Sequence, residues 1–149
     1  MFLSLIDLDL KSMKNALIFF VITLVTNASQ AQNSSDPVDV VSRQLDAYNA
    51  RDIDKFLETY SDTVKIYNYP DKLLMDGIEN LRKGYEGFFQ TAVDLHCDIV
   101  NRTILGNTVI DHESVVFDKN KPRLEAIAIY KVSNGKIFEV RFINARTEP

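Results

Sequence analysis

The sequence predicts an α+β fold in which a long curved β-sheet, wrapped by three helices, closes into a cone. Three observations carry this reading. Helix-period patterns cluster early, between Pro37 and Phe89, with one short strand before the third helix. Strand-period patterns then run almost without pause from Leu95 to Asn144. The last two strands are joined by Ser133-Asn134-Gly135-Lys136, a tight-hairpin signal. A long curved sheet covered by helices leaves an interior that can hold a small molecule.

The first element is an export segment. Ala16 to Val25 is apolar except for Thr23, Lys11 and Lys14 precede it, and Ser29-Gln30-Ala31 offers small residues for cleavage after Ala31. Ten to twelve apolar residues span only ~15–18 Å as a helix, against ~30 Å of bilayer hydrocarbon, so residues 1–31 read as a signal peptide rather than an anchor. Asp7 and Asp9 suit such a segment poorly, which makes Met13 a more natural start. The expected location is secreted or periplasmic, with no membrane association after cleavage. Residues 32–36 form a polar leader and residues 37–149 one domain.

Pro37 opens the first helix, and Val41, Leu45 and Tyr48 make its buried stripe, with Gln44 on the same face. Asp52 caps a second helix whose apolar residues, Ile53, Phe56, Leu57 and Tyr60, fall at helical spacing. Val64 to Tyr69 alternates as a strand, Pro70-Asp71 turns the chain, and Lys72 to Met75 returns. Asp76 is expected to cap the third helix, with Glu79 reaching back. Ile78, Leu81, Tyr85, Phe88 and Phe89 form its buried face. Four strands follow, Leu95–Leu105, Thr108–Phe117, Arg123–Val132 and Lys136–Asn144, long enough to require bulges.

Composition narrows the function. The chain has 149 residues, 46% hydrophobic and 26% charged, as an ordinary globular domain has. A net charge of -4 with no basic run argues against nucleic acid. Cys97 is the only cysteine, so no internal disulfide forms and no Cys/His set suggests a metal or other cofactor.

From Val38 to Ile143 the pattern resembles the nuclear transport factor 2-like superfamily, in its SnoaL-like and ketosteroid-isomerase-like branch. Val40-Val41-Ser42-Arg43-Gln44, Asn49-Ala50-Arg51-Asp52, Tyr60-Ser61-Asp62, Asp76-Gly77 and Asn134-Gly135-Lys136-Ile137 carry the resemblance. It implies a cone with a mixed sheet and a homodimer, to which an apolar outer sheet face (Ile127, Ile129, Val115) would contribute. It does not fix a reaction, because many activities share this fold. The positions that ketosteroid isomerases use fall at about Gln44, at Tyr67 or Asn68, and at about Ala128, and none matches.

Asp111-His112-Glu113 is the densest ionisable set. Alternation sends His112 to one face and both carboxylates to the other. Alignment with the isomerase pattern points His112 and Ser114 at the cavity and leaves Asp111 and Glu113 outside, to pair with Arg123, Lys131 or Arg141. His112 then either satisfies a polar hole or interface, or acts as the catalytic acid or base. Gln44, Tyr60, Tyr67, Ser114, Tyr130 and Asn144 are the candidate ligand contacts, the tyrosines serving equally as core. The expected partner is a small apolar or ring-bearing molecule. The expected role is binding, with isomerase or lyase-type acid/base activity as an extension. A non-enzymatic protein-interaction module of the same fold is the alternative, favoured if Tyr85, Phe88 or Phe89 blocks the mouth.

Overall fold

The computed structural model describes residues 34–144; the expected export segment, residues 1–31, lies outside the described residues. Chain order is α1 (Pro37–Ala50), α2 (Ile53–Glu58), β1 (Tyr60–Asn68), β2 (Lys72–Asp76), α3 (Ile78–Thr91), β3 (His96–Leu105), β4 (Thr108–Val116), β5 (Leu124–Ser133) and β6 (Lys136–Asn144). The strands form one curved sheet ordered β2-β1-β6-β5-β4-β3. β1 and β6 run parallel and the other neighbours antiparallel, so the sheet is mixed. The helices cover its inner face and complete the α+β cone.

Local chemistry sets the helix ends. The Asp36 carboxylate accepts from the Val38 N–H at 2.8 Å, and Pro37 fills the first helical position. Arg51 ends α1 in the left-handed region, at φ 55. The Asp52 carboxylate then accepts from the Lys55 N–H at 3.1 Å and starts α2. That helix stops at Glu58, before the expected Tyr60, because the Thr59 carbonyl accepts from the Ile137 N–H at 2.8 Å and draws the chain into the sheet. Tyr60 still packs on the fully buried Phe56, with ring centroids 5.0 Å apart.

The start of α3 also differs from expectation. Asp76 is the last residue of β2, held extended opposite Lys65, and Gly77 occupies the cap with no side-chain bond. The turn from sheet to helix needs a positive φ, here 83°, which glycine adopts without a Cβ penalty. The Gly77 N–H donates to the Val64 carbonyl at 2.8 Å, pinning the turn to β1. From there Leu81 and Phe89 enter the core, with Ile78, Tyr85 and Phe88 packed against it.

Two features of β3 matter for the interior. At its start the Asn49 side chain acts like an extra strand, donating to the Cys97 carbonyl at 3.0 Å and accepting from the Cys97 N–H at 2.8 Å. This ties α1 to the edge of the sheet. Further along, Ile99 pairs with Glu113 but Asn101 pairs with His112, so Val100 is an extra, bulged residue. Cys97 and Ile99 face the helices before the bulge, and Arg102 faces them after it. At the β5–β6 hairpin, Asn134 and Gly135 both have positive φ, 53° and 70°, as a two-residue turn of this kind requires.

Candidate functional site

A cavity of about 370 Å³ lies between the inner face of the sheet and the helices. Gln44, Leu45 and Tyr48 line it from α1, and Gly84, Tyr85 and Phe88 from α3. From the sheet come Tyr60 and Asn68 of β1, Glu113 and Val115 of β4, Ala126 and Tyr130 of β5, and Phe142 and Asn144 of β6. Leu74 and Phe117, both exposed, also line it and mark where it meets solvent. Tyr85 and Phe88 line this cavity, while Phe89 is buried in the core.

The polar centre is Glu113. Its side chain points inward, 7% exposed, and Oε1 accepts from the Tyr130 hydroxyl at 2.7 Å. Burial pushes its pKa up to about 7; the Tyr130 hydrogen bond opposes this, the neighbouring Asp111 adds to it, and Arg102 offsets it in part. No described residue bonds Oε2, and that oxygen is not sealed from solvent. Burial also pushes the phenols of Tyr48, Tyr60, Tyr85 and Tyr130 upward, Tyr85 to about 12, and the Cys97 thiol to about 12. Glu113 is thus the wall group whose protonation changes near neutrality.

Asp111, two residues away on the same face, has a different environment. It is 1% exposed and meets Arg102 through two parallel bonds, Nε to Oδ1 and Nη2 to Oδ2, each 2.7 Å. Arg102 Nη1 donates to Ser42 Oγ of α1 at 2.8 Å. The guanidinium is therefore committed to Asp111 and the helix, and Glu113 has no cation of its own. The two neighbouring carboxyls thus have unlike partners, a guanidinium for Asp111 and a phenol for Glu113.

The β4 faces are the reverse of those the sequence suggests. His112 lies on the outer face, Nε2 2.8 Å from Glu125 Oε2. Ser114 is outer too, bonded to Glu125 and accepting from Arg123 Nε at 2.8 Å. Val115, expected outside, lines the cavity. The reason lies in the β4–β5 register. Asp111 and Glu113 stand opposite Ala128 and Ala126, whose methyl groups leave space inside, whereas His112 stands opposite Ile127. Asp111 consequently pairs with Arg102 rather than with Arg123, Lys131 or Arg141.

Tyr67 is likewise outside, with the Arg141 guanidinium 4.5 Å from its ring centre. Gln44, Tyr60, Tyr130 and Asn144 line the cavity together. Sequence reasoning missed Glu113 as an inward group, Arg102 as its neighbour, and Cys97 as wall. The alternating small residues Ala126 and Ala128 were the available signal. His96 and Asp98 form an exposed pair, 3.1 Å apart. Among the described residues no group of three or more His, Cys, Asp or Glu side chains is placed to hold a metal ion, and no helix is long and apolar enough to cross a membrane.

A curved, mixed six-stranded sheet wrapped by three helices defines a cone-shaped α+β domain of the nuclear transport factor 2-like kind. A SnoaL-like domain profile matches residues 41–140, and the chain belongs to that family. Solved structures share the fold. A cystatin-fold protein from Novosphingobium aromaticivorans is 24% identical, with a TM-score of 0.66, covering 72% of this chain and 97% of that one. An NTF2-like protein from Cytophaga hutchinsonii is 15% identical, with a TM-score of 0.63 and coverage of 78% and 94%. A candidate polyketide cyclase from Sinorhizobium meliloti is 14% identical, with a TM-score of 0.61 and coverage of 70% and 94%. No curated protein matches the chain at a significant level.

Proposed function

We propose that this SnoaL-like domain is an exported small-molecule-binding protein whose cavity takes a mostly apolar, ring-bearing compound. Glu113 is the group placed for isomerase or lyase-type proton transfer. The observation that carries this reading is the Glu113–Tyr130 pair on the wall of a cavity lined mainly by apolar and aromatic side chains. An apolar wall with a few convergent polar groups is what binding sites for small molecules share. A carboxyl whose pKa is about 7 is available as acid and base under one condition, which is what proton transfer needs. His112, on the outer face, has no path to a molecule in the cavity. The likeness to a candidate polyketide cyclase is in keeping with a ring-bearing substrate.

The same reading includes a homodimer through the outer face. Ile110 pairs with Ile129 and Ile127 with Ile143 across neighbouring strands, which makes one continuous apolar patch there. Native mass spectrometry of the protein purified from its own host tests both parts. The expected spectrum is a dimer carrying a co-purifying organic molecule. A monomer would overturn the dimer. A ligand-free protein that also fails to bind small aromatic probes would overturn the binding role.

A further inference from the structure

The cavity has one carboxyl and no basic side chain among its wall residues. The nearest guanidinium, that of Arg102, gives Nε and Nη2 to Asp111 and Nη1 to Ser42. Tyr130 occupies one oxygen of Glu113 and leaves the other without a described partner. The same cavity wall carries the rings of Tyr48, Tyr60, Tyr85, Phe88, Phe117 and Phe142. Aromatic faces attract cations, and a carboxylate out of water binds a cationic donor more strongly than a neutral one. We infer that the ligand is a ring-bearing amine, its protonated nitrogen held by Glu113 and its apolar body by the surrounding rings.

This inference rests on the binding role proposed above and specifies its chemistry. An ammonium gives Glu113 what Arg102 already gives Asp111. An anionic ligand meets the opposite situation, with Glu113 on the wall and Asp111 two residues behind it. The groups that face Glu113 are Gln44 and Tyr48 from α1, Tyr85 from α3, and Tyr60 from β1. Cys97 and Arg102 of β3, Asp111 of β4 and Tyr130 of β5 complete its surroundings. The phenols and the thiol stay protonated near neutrality, since burial pushes each upward, so Glu113 governs the pH response.

The test uses three naphthalene probes of nearly one shape, 2-naphthylmethylamine, 2-naphthylmethanol and 2-naphthoate, measured by equilibrium dialysis against the full protein. The chain contains no tryptophan, so naphthyl fluorescence reports free and bound probe cleanly. The amine is expected to bind at least about tenfold more tightly than the alcohol at pH 8, with the carboxylate weakest. The amine-to-alcohol ratio should rise about tenfold from pH 6 to pH 8, as the ionised fraction of a carboxyl with a pKa of about 7 does. In Glu113→Gln that ratio should fall to about one. Equal amine and alcohol affinities, or an amine preference that is flat with pH and survives in Glu113→Gln, would overturn the amine inference and leave the cavity reading standing. Failure of all three probes to bind would overturn the cavity reading and this inference with it.

Discussion

Glu113→Gln should make the protein more stable, by an amount that grows as the pH rises from about 4.5 to about 7 and above. The carboxyl titrates at about 7 in the fold, against 4.5 for an unperturbed glutamate. Between these values the native state holds a proton that the unfolded chain has released, so raising the pH through this window weakens the fold. The favourable contribution is complete below about 4.5 and lost above about 7. A shift of roughly 2.5 units at 1.36 kcal/mol each bounds the effect at about 3 kcal/mol, of which about 2.5 kcal/mol falls between pH 5 and pH 8. Glutamine keeps the shape and an acceptor for Tyr130 but does not titrate. Urea unfolding of wild type and variant at both pH values gives a double difference in which every other titrating group cancels. The stability gained by the variant should be about 2.5 kcal/mol larger at pH 8 than at pH 5. A difference that stays constant across this range would show that Glu113 titrates as an exposed carboxylate does, and the site argument would fail.

Other substitutions separate the neighbouring groups. Arg102→Met leaves Asp111 buried without its partner and should cost about 3–5 kcal/mol in urea unfolding, much of it recovered in the Arg102→Met/Asp111→Leu double variant. Tyr130→Phe removes a hydrogen bond to Glu113 that holds its pKa down; stability should fall by about 1.5–3 kcal/mol at pH 8, and the midpoint of the pH dependence should move upward. His112→Ala should leave probe binding unchanged and shift unfolding by less than about 1 kcal/mol, because its contact to Glu125 is half exposed. Gly84→Ala places a Cβ 2.7 Å from the Met75 Cε, so the flexible thioether must move within the cavity wall. The helix should gain about 0.5–1 kcal/mol while affinity for the naphthyl probes falls, as unfolding and dialysis would show.

The sequence made the architecture legible because its signals are local. The early helical stripes, the Asp52 cap and the Asn134-Gly135 turn each depend on a few adjacent residues, and each appears in the structure. The helix ends it misplaced depend on distant partners. Tyr60 leaves α2 because Thr59 bonds Ile137, and Gly77 displaces Asp76 as the α3 cap because β1 holds Asp76 in the sheet. The face of β4 was harder still. Val109, Ile110, Val115 and Val116 place apolar residues on both faces, so alternation alone does not decide which is inner. The deciding contacts are on β5, where Ala126 and Ala128 leave the volume that Glu113 and Asp111 enter.

The extra residue at Val100 links this packing to the chemistry. Without it, continued alternation from Cys97 and Ile99 would turn Asn101 inward and Arg102 outward. Asp111 would then be a second buried carboxylate with no cation, beside Glu113. Two such groups two residues apart on one face would repel, and one would have to stay protonated or leave the interior. The bulge places Arg102 across from Asp111, and α1 supplies Ser42 for its remaining donor. One carboxyl is held in a bidentate pair with Arg102, and the other keeps a single phenol and an open oxygen. The difference between a buried ion pair and a titratable site is thus set on β3, away from the cavity wall, by one inserted backbone residue.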